Sequence, residues 1–133
     1  MLMSANGQIN HAPPSTWSCY SASAADAAGK SNLGSGINGP DAVEGYVAEP
    51  GASNSSVGHR RWLLFPQTRF MGIGDIGATT GTNPTRTNAL WVIDANAPSS
   101  RPAVRDDFVA WPPRGYVPYQ TVYPRWSFSY PRA

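Results

Sequence analysis

The side chains best suited to chemistry in this sequence are two histidines and one acid. His11 stands just before the Pro13-Pro14 pair, and His59 lies between Gly58 and Arg60-Arg61-Trp62. Two imidazoles with a carboxylate beside them would supply donor types that zinc prefers and leave room for water at a further position. Such a set would lose metal as its histidines protonate below about pH 6.5. The same three groups can instead satisfy one another in a polar cleft, because buried polar side chains need partners. Both readings stay open on the residues alone.

Other patterns carry less. Gly72-Ile73-Gly74-Asp75-Ile76-Gly77 has the spacing of a dinucleotide-binding loop, but that motif needs a helix opening immediately after the glycines. Ala78 to Pro84 gives no helix signal, so the glycines read as strand residues that allow another backbone to approach, and no nucleotide cofactor is expected. Gly29-Lys30-Ser31-Asn32-Leu33-Gly34 misses a nucleophile elbow by one residue, and no other serine stands out as a nucleophile. Asn54-Ser55-Ser56 is a glycosylation sequon, which matters only along a eukaryotic secretory route.

The stretch 108–130 holds eight of the 15 aromatic residues, interleaved with prolines. Exposed, it could stack on sugar rings or meet a partner. Buried, it would cap a sheet, and the large area that aromatics bury favours this second reading. Within it, Trp111-Pro112-Pro113-Arg114-Gly115-Tyr116 is too rich in proline for a central strand, so Trp111 and Tyr116 are the candidates for ligand or partner contact.

These groups sit on a chain of 133 residues, the size of one domain. Charged residues make up 14%, well below the common value of about 25%, and 13 glycines with 13 prolines point to many turns. The net charge of +2 comes from scattered arginines and Lys30 rather than a basic face, so nucleic acid is not an expected partner. No apolar run approaches the ~20 residues that span a bilayer, and Met1-Leu2-Met3 is too short for a signal-peptide core. Cys19 is the one cysteine, which excludes an internal disulfide.

The elements that must position the site read as helices first and strands later. Residues 1–7 resemble the end of a helix closed by Gly7, as in a chain lacking the start of that helix. Tyr20 to Lys30 is alanine-rich and helical. Asn38-Gly39-Pro40-Asp41 opens a helix that Pro50-Gly51 stops, with Ala42, Val43, Tyr46 and Val47 on one face and Glu49 in the last turn near Tyr46. Residues 51–58 read as loop. Strands are predicted at 62–65, 70–76, 89–93 and 126–130, with loops at 78–88 and 96–107, and 89–93 as a central strand covered on both sides.

Four short motifs then occur in a telling order: Asn10-His11-Ala12-Pro13-Pro14, Ser31-Asn32-Leu33, Val43-Glu44-Gly45-Tyr46-Val47-Ala48-Glu49, and Gly58-His59-Arg60-Arg61-Trp62. They resemble the landmarks of the CAP superfamily, also called the SCP domain, which includes cysteine-rich secretory proteins, antigen five and pathogenesis-related proteins. The absent disulfides and the Gly-His-Arg triplet resemble its bacterial branch. The resemblance implies a single α/β domain over 1–133, a three-layer α/β/α sandwich with a mostly antiparallel sheet, in which an N-terminal helix of the family is missing and 108–133 is less securely covered. It implies a cleft of His11, Ser31, Glu49 and His59, in which His11, His59 and Glu49 hold zinc or another divalent cation, the carboxylate either binding the ion or orienting an imidazole as its acceptor. Ser31 stands where the family has a glutamate, and a neutral hydroxyl is a poor ligand and no base. That departure favours a non-catalytic module, exported or in the cell envelope, that binds an ion, a small extracellular ligand or an envelope component. The alternatives are a metal-assisted hydrolase with Glu49 as base, and a structural envelope domain met through its aromatic end.

Overall fold

Residues 1–77 and 85–130 are described by a computed structural model. Among them the order is α1 (Leu2–Asn6), α2 (Ala22–Gly29), β1 (Ser31–Ser35), α3 (Gly39–Ala48), α4 (Gly58–Leu63), β2 (Gly72–Ile76), β3 (Thr87–Trp91), β4 (Val109–Trp111) and β5 (Ser127–Ser129). Local chemistry sets the helix ends. Gly7 closes α1 in the left-handed region, and Ser21 Oγ accepts the Ala24 N–H at 3.1 Å to open α2. Extended Asn38 precedes α3, with Pro40 and Asp41 in its first turn.

The main sheet has the order β1-β3-β2, antiparallel throughout, with Leu33 and Gly74 both opposite Ala89. The run beginning at Ala89 is therefore central, as its apolar sequence predicts. Neighbouring residues of β3 serve different clusters, because side chains alternate across a strand. Ala89 joins Leu2, Met3, Ala28 and Leu33, whereas Leu90 joins Ala42, Tyr46 and Val92. Helices α1 and α2 thus cover one face of a mixed α/β fold, and α3 covers the other.

Several elements depart from the sequence reading. Residues 62–65 are not a strand: Trp62 and Leu63 complete α4, with Arg61 N–H donating to Val57 and Leu64 N–H to Arg60. A four-residue apolar run cannot distinguish helix from strand by periodicity, and here the helix begins upstream at Gly58. β1 lies where no strand is expected, since Ser-Asn-Leu-Gly-Ser has little strand propensity and takes its form from pairing with β3. Glu49 is not in the last turn of α3 but caps it, with φ 51 in the left-handed region. The glycines of β2 do not admit a second backbone; β2 is an exposed edge, and a Cβ at Gly74 would meet open space. The expected 78–88 loop lies outside the described residues over 78–84, and Thr87 and Asn88 already belong to β3.

The aromatic end is also corrected. β4 and β5 form a separate two-stranded ribbon, with Val109 opposite Ser129 and Trp111 opposite Ser127. Tyr116, Tyr119, Trp126, Phe128 and Tyr130 are exposed rather than buried as a cap. The ribbon has one face against α4 and, among the described residues, no layer over the other, where Phe128 packs between Phe108 and Tyr130. Trp111 is half-buried, its Nε1–H donating to Thr121 O at 3.0 Å.

Two polar anchors hold the sheet to its surroundings. The buried Tyr46 hydroxyl lies 2.7 Å from Asn88 Oδ1 and 3.2 Å from Asn32 O, tying α3 to β1 and β3. Burial, helped by the Asp75 charge, pushes this phenol above its ordinary value, so it stays a donor. Tyr46→Phe is expected to cost about 1–3 kcal/mol in urea denaturation, because it strands buried acceptors; an unchanged midpoint would contradict this anchor. Asp94 accepts from the Asn96 side chain at 2.9 Å and from the backbone N–H groups of Arg69, Phe70 and Asn96. The Asn96 side chain foremost, and then these N–H groups, hold its carboxyl down to about 2 despite opposing desolvation. A depressed carboxyl pKa stabilises the fold above the unfolded value near 3.9 and ceases to do so as pH falls through the folded value. Asp94→Asn is therefore expected to be less stable than the parent at about pH 6, with the gap closing between about pH 4 and 2.

Candidate functional site

The candidate site forms where the end of α3, the start of α4 and the first residue of β1 converge. A cavity of about 470 Å³ there is lined by His11, Ser31, Asn32, His59 and Trp62 together with the serine-rich 53–56 loop. Three of the four residues expected in the cleft, His11, Ser31 and His59, thus share one cavity. Glu49 does not line it. Its side chain is fully buried behind His59.

Each imidazole is tied through the same nitrogen. His11 Nδ1 lies 2.8 Å from Ala28 O, a carbonyl that can only accept, so Nδ1 carries the proton. His59 Nδ1 lies 3.1 Å from Glu49 Oε2, and an ionised carboxylate likewise only accepts. In the neutral form of each ring this leaves Nε2 with a free lone pair. The backbone of His59 is fixed as well: Asn32 Nδ2–H donates to its carbonyl at 3.0 Å, and the Tyr46 ring packs 5.2 Å from its own.

Behind this pair lies a residue that sequence reasoning missed. Arg60 is fully buried, its N–H donating to Glu49 Oε1 at 3.0 Å. Its guanidinium donates to the carbonyls of Val47 and Ala48, which end α3, and to Arg125 O at 2.8 Å and Ser127 Oγ at 3.1 Å. Cationic donors suit the carbonyl end of a helix, where the dipole is negative. Burial draws this guanidinium below its ordinary value, and the Glu49 charge opposes that fall. Arg125 closes the circuit by donating to Glu49 O at 2.7 Å, which holds the left-handed backbone of Glu49. The only signal in the sequence was that Arg60 directly follows a candidate histidine.

As a metal site the set fits in part. Both Glu49 oxygens are already committed and the side chain is enclosed, so it fits as the acceptor that orients His59 rather than as a ligand. Metal-bound histidines characteristically donate their other N–H to a carboxylate or carbonyl, the arrangement seen at both rings. Among the described residues no group of three or more His, Cys, Asp or Glu side chains is placed to hold an ion.

The model of the cysteine-rich secretory protein family matches residues 2–94. The chain belongs to that family. The match spans both histidines, Glu49 and Arg60 and ends before the ribbon. Comparisons with curated proteins and with solved structures found no match. The cysteine-rich secretory protein family is typically extracellular, and among the described residues no helix is long and apolar enough to cross a membrane.

A carboxamide at position 49 has one acceptor oxygen for two donors. The Arg60 backbone N–H cannot change protonation, so in Glu49→Gln the imidazole must yield. The expected outcome is that His59 moves its proton to Nε2 while His11 keeps its own on Nδ1, read from the ¹⁵N chemical shifts of the ring nitrogens. An unchanged His59 tautomer would show that Glu49 does not set it.

Proposed function

We propose that this family member is an exported, non-catalytic binding module whose cavity between His11 and His59 takes a divalent cation or a small extracellular ligand. One observation carries the reading: both rings line one cavity with Nδ1 held by an acceptor and Nε2 left with a lone pair. Zinc is the cation that two neutral imidazoles suit, with oxygen donors from solvent or ligand completing its shell. Two protein nitrogens and a neutral Ser31 hydroxyl make a modest site, weaker than one with the family's glutamate at position 31.

The hydrolase reading asks Glu49 to activate water. Its enclosure, with both oxygens accepting from His59 and Arg60, supports a positioning role instead. The reading as an envelope domain met through the aromatic end places the contact at Tyr116, which is exposed, and at half-buried Trp111, both apart from the histidine cavity.

Zinc titration followed by ¹⁵N spectra of the imidazoles tests the proposal. The two Nε2 signals are expected to shift together, and His11→Ala or His59→Ala to abolish the response. Glu49→Gln is expected to weaken binding about 10–100-fold, the usual effect of losing an orienting partner. Peptide hydrolysis by zinc-loaded protein that disappears in Glu49→Gln would overturn the non-catalytic assignment, and rings that respond separately would overturn the shared site.

A further inference from the structure

A second cavity lies on the other side of α4, between that helix and the ribbon. Its volume is about 490 Å³, and Trp62, Leu64, Phe65 and Val109 supply apolar lining. Trp62 and Phe65 meet edge to face at 5.3 Å, giving the apolar part an aromatic wall. The polar part is made of Ser127 and Ser129, which share one face of β5, and of Arg60 and Arg61.

The hydrogen bonds here have a direction. Arg60 Nη1 donates to Ser127 Oγ at 3.1 Å and Arg61 Nη1 to Ser129 Oγ at 2.6 Å. Each hydroxyl therefore accepts from a guanidinium and keeps its own O–H to donate, and among the described residues neither O–H has an acceptor. Arg61 also donates to Ser56 O and Phe128 O through Nε and Nη1, which leaves Nη2 without a partner among those residues. Neither guanidinium is ion-paired with an acid among the described residues, and no acidic side chain lines the cavity. Glu49 offsets part of the Arg60 charge from behind. A wall of donors backed by positive charge, beside an aromatic slot, is complementary to an anion with an apolar body.

We propose that this cavity binds a small monocarboxylate carrying an aromatic ring or short alkyl chain. The carboxylate accepts from the Ser127 and Ser129 hydroxyls and from Arg61, while the apolar body lies against Trp62 and Phe65. The site adjoins the histidine cavity, with Ser56, Gly58 and Trp62 on their common border, but contains neither histidine and requires the ribbon, which the family match does not reach.

The probe is 3-phenylpropionate, titrated into the full chain and followed by backbone amide shifts. Saturable shifts confined to Gly58–Phe65, Val109 and Ser127–Ser129 are expected, with the uncharged 3-phenylpropanamide binding at least about tenfold more weakly, since charge-assisted hydrogen bonds are the strong ones. Arg61→Gln and, separately, Ser129→Ala are each expected to weaken the carboxylate at least about fivefold and leave the amide within about twofold. Arg61 also bonds the ribbon at Phe128 O and Ser129 Oγ, so amide affinity that stays within about twofold is the sign that the ribbon remains seated when the charge is removed, and a parallel loss of acid and amide binding would overturn the assignment of Arg61 to the carboxylate. Equal affinity for acid and amide, indifference to both substitutions, or no saturable shift at about 10 mM would overturn the proposal.

Discussion

The two oxygens of Glu49 divide between His59 Nδ1 and the Arg60 N–H, and most of what is distinctive in this molecule depends on that division. A carboxylate with no exposed surface is costly unless every oxygen is satisfied, and a buried guanidinium beside it faces the same demand. Arg60 meets the demand by donating to the last carbonyls of α3 and to the ribbon, and Arg125 returns a bond to Glu49 O. Losing one partner of such a buried set costs about 3–5 kcal/mol, a large share of the 5–15 kcal/mol that holds a small domain together. The site and the stability of its surroundings therefore rest on the same few bonds.

This arrangement separates two roles that the residue types alone leave merged. Two histidines and an acid allow either three ligands or two ligands and an orienting carboxylate. With the acid turned inward it becomes the group that sets a ring, and the cavity is left with two imidazole nitrogens and a serine. Arg60 and Arg61, consecutive in sequence, likewise part: Arg60 is buried and bonds Ser127, whereas exposed Arg61 bonds Ser129 on the same face of β5. One short helix thus has a cavity on each side, bordered in common by Ser56, Gly58 and Trp62.

Much of the fold was legible where local chemistry decides it. Gly7, Pro40 with Asp41, and the run at Ala89 gave two helix boundaries and the central strand, because capping geometry and continuous apolar burial act over a few residues. The four motifs over residues 10–62 gave the family and the residues around the histidine cavity. The helix at Gly58–Leu63 was not legible, since its face toward the protein is carried by an arginine. Nor was the strand Ser31–Ser35, whose form comes from β3 and whose Gly34 lets the Tyr46 hydroxyl come within 3.1 Å of where a Cβ would stand. The inward turn of Glu49 depends on a left-handed residue that no glycine marks, held by Arg125 far along the chain.

The account turns on which nitrogen of each ring bears the proton. Long-range ¹H–¹⁵N correlation on the metal-free protein, at a pH where both imidazoles are neutral, reads this directly. The structure predicts that His11 and His59 are both protonated on Nδ1 with Nε2 bare. A proton on Nε2 of His59 would mean that Glu49 does not orient the ring, and the cavity would then present a donor where a lone pair is required.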